Sequence, residues 1–450
     1  MEKVSRYLVV GDETYSDASG VGVRLVFATR TARLLAVDPD TAAALRAGDP
    51  DGVAPGLAGE LRRARILVPA DEDERAAVLE RNRRASADLS AVHVALLPTS
   101  YCNMGCAYCG QEHTAGGLSR DHRDKVRARV LRKIGAPSTR SARIDWFGAE
   151  PMVGYAVIRS LAPAFVAAAA GRGIPYSSVI VTNGSLLTPA KIRTLVGECG
   201  VTQFEITLDG PPEVHDVHRP LKNGKGSFRH IVEVVGEALE DSRNDGALFR
   251  FRTNVDIGNR DSVPRYLELM AELGMSRPNV NFSIMPVHSW GNDVSAVELA
   301  GREFAERQVE WFRMMAERRL NVQLVPTAAN AVVCPAVTTS AELISSTGKV
   351  FSCSEYPLVP EAERQFALTD ISAPAPGPHR PVGQFDDWHE DVAENRTWCG
   401  ECVFMPTCGG ACPKAWREGN PPCPSYKYNF QGRLAVLAAQ AGLLPAGAGR

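Results

Sequence analysis

From residue 92 onward, short apolar runs alternate with longer segments in which apolar residues recur at helical spacing. The predicted strands span residues 92–97, 142–147, 178–182, 203–208, 248–255 and 280–285, and the predicted helices span 119–134, 155–172, 189–198, 227–238, 263–273 and 295–319. Six successive strand–helix units predict a parallel sheet with right-handed crossovers. The sequence therefore indicates an α/β fold, either a closed barrel or a partial one.

The first 88 residues follow a different order. Residues 7–10, 21–27 and 34–37 are predicted strands, and Asp38-Pro39 is a favourable start for a helix over 41–46. Two further helices are predicted over 57–64 and 71–84. Three strands followed by three helices is the order of a small winged-helix-like domain, so we place one domain at residues 1–88.

Composition restricts the class of protein. The chain has 450 residues, of which 44% are hydrophobic and 23% charged, as in globular proteins of two or three domains. A net charge of -2 gives no support for a nucleic-acid partner or an acidic membrane surface. We find no apolar run of membrane-span length and no secretory signal, so we expect a cytoplasmic protein without a membrane partner. Eleven cysteines are then more typical of metal ligands than of disulfides.

Cys102, Cys106 and Cys109 form a CxxxCxxC motif directly after the first strand of the α/β region. Iron–sulfur clusters are normally held by four thiolates, so three ligands on one loop leave one iron open to another molecule. The loop lies at the carboxyl end of a strand, where α/β barrels carry their active sites. A structural zinc site is the alternative.

Other strand ends carry small and polar residues. The second, third and fourth strands are followed by segments 147–151 (FGAEP), 182–184 (TNG) and 207–211 (TLDGP). Small residues let a ligand approach the backbone closely. Because the carboxyl ends of parallel strands share one rim, these segments predict a ligand site beside the cysteine loop.

Seven further cysteines follow the barrel region. Their spacing is Cx13Gx4C, then Cx2Cx5Cx3C, then one more cysteine, at positions 334, 353, 399, 402, 408, 412 and 423. Two such knuckles are compatible with zinc, but seven thiols behind an iron–sulfur motif favour further clusters.

Together, the cysteine motif, the near match to GGEP, the TNG segment and the TLDGP segment resemble radical S-adenosylmethionine enzymes over residues 92–318. The resemblance implies a partial (β/α)6 barrel at residues 89–318, whose open iron binds S-adenosylmethionine. The later cysteines resemble the SPASM extension, which implies a cysteine-rich domain at residues 319–450 with two auxiliary 4Fe-4S clusters. Three 4Fe-4S clusters and S-adenosylmethionine are thus the expected cofactors.

The resemblance also assigns single residues. Cys102, Cys106 and Cys109 would ligate the first cluster. Tyr108 would pack near the adenine, Glu150 would receive the methionine amino group, and Asn183 and Thr207 would lie against the ribose or carboxylate. These residues are only implied by the family pattern. Ala149 stands where that pattern has its second glycine, which changes the local backbone but removes no ligand.

An arginine is expected for the methionine carboxylate, since the guanidinium fork matches that group. Arg219, Arg229 and Arg252 are the candidates, and the sequence does not choose among them. His215 and His218, in the following segment PPEVHDVHRP, we interpret as structural or positioning residues. No catalytic side chain is assigned.

Ligands of the auxiliary clusters follow from the same resemblance. The second auxiliary cluster would take Cys399, Cys402, Cys408 and Cys423. The first would take Cys334, Cys353 and Cys412 and keep one open iron, because residues 328–330 (AAN) occupy the stretch where relatives carry one more cysteine.

Three functions remain open. The first is a maturase that crosslinks a ribosomally made precursor peptide through a thioether or carbon–carbon bond, with a low-potential electron donor as second partner. The N-terminal domain is similar in element order to leader-peptide recognition domains, which add a peptide strand to a sheet edge, and a plain packing domain is the alternative. The second is a formylglycine-forming dehydrogenase resembling anaerobic sulfatase-maturing enzymes, although their aspartate base is replaced by Ser354, with Glu355 next. The third is a non-catalytic iron–sulfur electron carrier.

Overall fold

A computed structural model describes residues 1–374 and 377–446. The N-terminal region contains strands β1 (Glu2–Val4), β2 (Leu8–Val10), β3 (Tyr15–Ser16), β4 (Gly22–Ala28), β5 (Arg33–Val37) and β6 (Leu67–Pro69), with helices α1 (Pro39–Ala47), α2 (Ala58–Arg63) and α3 (Glu74–Ala87). Asp38 caps α1 by accepting a hydrogen bond from the Thr41 N–H, and Pro39 follows it. The antiparallel pair of β1 with β6 is an addition to the predicted elements. The extent of this region as a domain stays a prediction.

Six parallel strands form the central sheet. They are β7 (Ala91–Leu96), β8 (Ser141–Trp146), β9 (Tyr176–Thr182), β10 (Gln203–Thr207), β11 (Leu248–Val255) and β12 (Val280–Pro286), and they pair in chain order. The helices are α4 (Arg120–Gly135), α5 (Tyr155–Gly171), α6 (Pro189–Gly197), α7 (Pro212–His218), α8 (Phe228–Leu239), α9 (Val263–Glu272) and α10 (Gly301–Glu317). The predicted α/β fold with a partial barrel is confirmed. Helix α7 is an addition, and the last helix begins six residues later than its predicted start at 295.

The two faces of the barrel strands differ in character. Along β11, buried residues alternate with half-buried ones: Phe249 and Phe251 pack into the core, while Arg250, Arg252 and Asn254 occupy the opposite face. Successive side chains of a strand point to opposite faces, so the barrel has an apolar outer layer under the helices and a polar inner face.

The C-terminal region continues the same sheet. It contains β13 (Ala341–Ile344), β14 (Lys349–Phe351), β15 (Thr369–Asp370) and β16 (Leu444–Pro445), with helices α11 (Pro360–Phe366), α12 (Trp388–Ala393), α13 (Met405–Cys408), α14 (Pro413–Arg417) and α15 (Tyr426–Gln440). Strand β13 pairs in parallel with β7, and β14 and β15 follow at that edge. The sheet therefore crosses the predicted boundary at residue 319, which stays a prediction, as does the region's extent to 450; residues 375–376 and 447–450 lie outside the described part.

One helical segment differs from the expectation about membranes. Pro151–Gly171 is long and apolar enough to cross a membrane by length and composition. In the structure its helix α5 places Ile158, Leu161 and Phe165 in the barrel core, each fully buried. The apolar composition of α5 is thus matched by its packing against the sheet.

Candidate active site

The cysteine loop lies at the carboxyl end of β7. Its backbone is attached to the neighbouring rim, where the Gly105 N–H donates to the Pro220 carbonyl oxygen at 3.0 Å. Cys102 is buried, whereas Cys106 and Cys109 are half-buried. Burial raises the pKa of Cys102, and it raises the pKa of Cys106 to about 11. These thiols would therefore stay protonated at neutral pH unless a cation binds them, which fits a metal-cluster ligand set.

Glu150 lies beside this loop and is completely buried. Its carboxylate accepts hydrogen bonds from the Thr182 hydroxyl at 2.6 Å, the Asn183 N–H at 2.7 Å and the Met152 N–H at 2.9 Å. Burial raises the pKa of Glu150, and these hydrogen bonds oppose that rise. The GAEP and TNG segments thus meet at one carboxylate, as the shared rim predicts.

The backbone before Glu150 is left-handed. Gly148 has φ 77° and Ala149 has φ 48°. A side chain at Gly148 would lie 2.4 Å from Leu97, so glycine is required there. Ala149 adopts its conformation at a steric cost, because the left-handed region disfavours residues with a Cβ atom.

Tyr108 joins the cysteine loop to the end of β10. Its hydroxyl donates to Asp209 Oδ2 at 2.7 Å and also receives hydrogen bonds from Arg219 and from Asn254, the latter at 3.1 Å. Arg219 Nη1 lies 3.7 Å from the Asp209 carboxylate, and its Nε is buried without a partner among the described residues. An unsatisfied guanidinium N–H next to the cysteine loop fits a site for an anionic group of a ligand.

Asp209 is shared with His218, which lies between two carboxylates. The His218 ring contacts Asp209 at 3.0 Å through Nδ1 and Asp256 at 2.9 Å through Nε2. Burial alone would lower the pKa of His218, but the two carboxylates raise it to about 9. His218 is therefore an imidazolium at neutral pH that holds the ends of β10 and β11 together.

His215 has the opposite character. Burial lowers its pKa to about 4. Its Nδ1 accepts from the Asp209 N–H at 3.1 Å, so Nε2 carries the proton and donates to the Ser227 hydroxyl at 3.0 Å. The neutral His215 ring thus holds the backbone at Asp209, just after β10, without adding charge to the rim.

Of the remaining predicted cofactor-binding residues, three lie at the rim and one does not. Asn183 reaches the cysteine loop, with Nδ2 3.9 Å from Cys102 Sγ. Thr207 is buried at the end of β10, next to Arg252 in the register of β10 with β11. Arg252 donates to Asn254 Oδ1 at 2.9 Å. Arg229 is exposed on α8, away from this group.

Sequence reasoning missed the polar residues at the carboxyl end of β11 and just after it. Asn254 and Asp256 complete the network around Tyr108 and His218, and the Asn259 side chain donates to the Asp209 carbonyl oxygen at 2.8 Å. Their signal was available, since polar residues at 254–259 follow a predicted strand as the TNG and TLDGP segments do.

The seven later cysteines fall into two sets, which we name the first auxiliary group (Cys334, Cys353, Cys412) and the second auxiliary group (Cys399, Cys402, Cys408, Cys423). Burial raises the pKa of Cys334 to about 11 and that of Cys399 to about 12, and thiols of the same group add to each rise. The first group lines a cavity of about 420 Å³ that also contains Glu355, and the second lines a smaller one.

Among the described residues, 1–374 and 377–446, no three His, Cys, Asp or Glu side chains converge closely enough to hold a single metal ion. A cubic cluster makes a different demand, because each thiolate binds its own iron and the thiolates stand farther apart.

Aromatic and charged residues lie between the cysteine loop and the first auxiliary group. Trp290 stacks with Phe147 at 5.9 Å and with His288 at 5.9 Å between ring centroids. His288 lies 3.6 Å from the Glu355 carboxylate. Burial would raise the pKa of Glu355, but His288 and Lys414 lower it. A carboxylate thus faces the cavity from the side of the first auxiliary group.

Comparisons with known proteins agree with this geometry. Residues 96–248 match the family model described as the radical SAM superfamily. The serine-type anaerobic sulfatase-maturating enzyme of Klebsiella aerogenes is 27% identical over 146 residues, 32% of this chain and 36% of that enzyme. The chain thus aligns with about a third of the Klebsiella enzyme. The enzyme of the same description from Bacteroides thetaiotaomicron is 23% identical over 386 residues, 73% of this chain and 86% of that enzyme.

Two solved structures align with this chain. The structure of native anSMEcpe with bound AdoMet has a TM-score of 0.59 and 15% identity, covering 78% of this chain and 99% of that one. Streptococcus suis SuiB bound to precursor peptide SuiA has a TM-score of 0.48 and 13% identity, covering 94% of this chain and 99% of that one. A partial barrel, a three-cysteine loop at its rim and the match over residues 96–248 together define a radical SAM domain in this chain.

Proposed function

We propose that this enzyme is a peptide maturase that crosslinks a ribosomally made precursor peptide. The observation that carries the proposal is the cavity of about 420 Å³ lined by the three thiols of the first auxiliary group, by Cys408 of the second and by Glu355. With Cys408 assigned to the second group, a cluster held by the three thiolates of the first would keep an open iron, where a substrate thiol would bind and form a thioether with a carbon radical.

The rim residues would hold the cofactor. Cys102, Cys106 and Cys109 would bind the first 4Fe-4S cluster, and Glu150 would accept the methionine ammonium. S-adenosylmethionine, when bound and reduced by one electron, supplies a 5'-deoxyadenosyl radical that abstracts hydrogen. Arg219, held by Tyr108 and Asp209, is the preferred partner of the methionine carboxylate, since among the three arginine candidates it alone has a buried N–H without a partner within the described residues.

The N-terminal sheet offers a site for the leader peptide. In the described part of the chain, β5 pairs with β4 only, so one side of β5 is an open edge. On the other side of β4, β16 pairs with β3, and β2 pairs with β4 only among the described strands, so β5, with five residues against three in β2, is the longer free edge. A leader segment would add to β5 as a further strand, with backbone hydrogen bonds supplying affinity.

A formylglycine-forming dehydrogenase is the second candidate. It is favoured by the two sulfatase-maturating relatives and by Glu355, whose carboxylate lies in the cavity and would accept the substrate proton that this oxidation releases. Crosslinking and serine oxidation each remove two hydrogens from the substrate peptide. The two products therefore have the same mass change and must be distinguished by their chemical reactivity.

The first experiment tests the class of chemistry. Anaerobically purified, cluster-reconstituted protein should cleave S-adenosylmethionine to 5'-deoxyadenosine under reduction, and Cys106→Ala should abolish cleavage. Cys199→Ala is the matched control, because Cys199 is buried in the barrel core outside all three cysteine groups. Equal cleavage by wild type and Cys106→Ala would refute a radical mechanism at this loop, and cleavage by neither would refute the enzyme.

The second experiment tests the product. Coexpression with a short precursor-peptide gene, to be sought beside this one, should yield a peptide lighter by two hydrogens. A crosslink leaves the product unreactive toward hydrazides, and loss of an iodoacetamide-reactive cysteine identifies a thioether. A hydrazide-reactive product would instead establish the dehydrogenase.

A further inference from the structure

The two auxiliary groups differ in the charge of their surroundings. At the second group, Lys427 Nζ lies 3.5 Å from Cys423 Sγ. The same ammonium lies 5.3 Å from the centroid of the Trp398 ring, which is half exposed. A cation therefore lies against one of these four thiols and beside an exposed aromatic ring.

The first group has an acidic neighbour instead. Glu355 lines the same cavity as Cys334, Cys353 and Cys412 and is two residues from Cys353 along the chain. Lys414 compensates it only in part, because its ammonium is shared between Glu355 at 3.2 Å and Glu418 at 2.8 Å. Two carboxylates thus lie beside the first group, with one ammonium between them and the His288 ring 3.6 Å from Glu355, whereas an ammonium contacts the second group.

These charges act on reduction potentials. A cluster becomes more negative when it takes up an electron, so a nearby cation favours its reduced form and a nearby carboxylate disfavours it. We infer that Lys427 raises the reduction potential of the second auxiliary cluster above that of the first, so that this cluster is the terminal electron acceptor of the reaction. The inference rests on the proposed function, since it requires clusters at both groups.

Crosslinking releases one electron that the difference in reduction potential between the two clusters would direct toward the second. The substrate loses two hydrogens: one leaves as a hydrogen atom in 5'-deoxyadenosine, and the other leaves as a proton and an electron. The electron enters at the first group, beside the cavity, and passes to the second. Cys408 and Ala411 line both cavities, so the two groups adjoin. A one-electron carrier protein then reoxidises the second cluster at the surface next to Trp398.

Potentiometric titration of the full chain, followed by electron paramagnetic resonance, tests the inference. In anaerobically reconstituted protein, Lys427→Gln should lower the midpoint potential of one cluster by at least about 59 mV, which is a tenfold change in a one-electron equilibrium constant. Lys427→Arg keeps the charge and should keep the potential. Iron content should stay at about twelve atoms per chain in all three proteins.

Glu355→Gln tests the same difference in potential at the first auxiliary group. The substitution removes a negative charge there, so it should raise the midpoint potential of the first auxiliary cluster. Unchanged midpoints in Lys427→Gln at full iron content would overturn the inference and leave the proposed function intact. If Lys427→Gln loses iron, Glu355→Gln decides: an unchanged lower midpoint would overturn the inference. Only about four iron atoms in the wild type would contradict the auxiliary clusters themselves and, with them, the proposed function.

Discussion

Ala149 shows how one residue adapts a motif. The GAEP segment needs a left-handed conformation at two successive positions, and Ala149 adopts it with φ 48° despite its Cβ atom. We expect Ala149→Gly to raise the unfolding free energy by about 1 kcal/mol, because glycine removes the steric cost of this conformation. Thermal denaturation of the purified chain measures the change. Ala136→Gly, at a position with φ -62°, should instead lower stability.

His218 provides a pH-dependent contribution at the same scale. Its pKa of about 9 lies above the ordinary value near 6.5, so its ion pairs with Asp209 and Asp256 contribute fully below about pH 6.5. The contribution is lost as the pH rises through about 9. His218→Gln should therefore cost about 2 kcal/mol near pH 6 and little near pH 9.5. A stability difference between variant and wild type that stays constant over this range would contradict the assignment.

At the scale of elements, the N-terminal sheet packs against the region that carries the second auxiliary group. Phe27 of β4 lies 5.1 Å from Phe430 of α15, and Phe404 lies 5.0 Å from the same ring. Thr29, fully buried just after β4, places its hydroxyl 2.6 Å from the Val403 carbonyl oxygen, next to Cys402. The N-terminal sheet thus packs directly against the segments that carry the second auxiliary group.

This junction leads to a prediction for Thr29→Val. The substitution keeps the volume but leaves a buried carbonyl without its donor, which costs about 1–3 kcal/mol. We expect a lower thermal midpoint together with easier proteolytic release of the N-terminal region. Thr31→Val removes a bond to the Ala64 carbonyl oxygen inside the N-terminal region and should leave proteolytic release unchanged. Similar behaviour of the two variants would show that the junction does not depend on Thr29.

At the scale of the whole molecule, a buried ion cluster joins the barrel to the cysteine-rich region. Glu342 of β13 accepts hydrogen bonds from Arg129 of α4 at 2.8 and 2.7 Å, and Lys133 lies at 3.3 Å. Burial lowers the pKa of Lys133, and Glu342 opposes that change. The two cations depend on a single carboxylate.

Glu342→Gln should therefore destabilise the chain by about 3–5 kcal/mol, because it leaves buried cations without a counter-charge. Urea unfolding under anaerobic conditions measures the effect. Glu390→Gln breaks the exposed pair with Arg83 and should cost less than about 1 kcal/mol. A small effect at both positions would mean that water reaches the Glu342 cluster.

The sequence predicted local elements well and distant contacts poorly. The six barrel strands were evident because each is a short apolar run between helix-period segments. Strand β13 was not predicted. Its partner β7 lies far away along the chain, and the residues of β13 alone do not indicate which strand it pairs with. The Glu342 pair spans 213 residues for the same reason.

The sequence by itself determined the class of chemistry: a three-cysteine loop at a strand end, the rim segments and the spacing of the later cysteines are all local patterns. Only the tertiary structure decided which charges surround these thiols. It selected Arg219 as the arginine beside the cysteine loop, brought Asn254 and Asp256 to the rim, and placed Glu355 and Lys427 at different auxiliary groups. The reason is physical, because ligand types follow from neighbours along the chain, whereas the electrostatics of a buried site depend on every element packed around it.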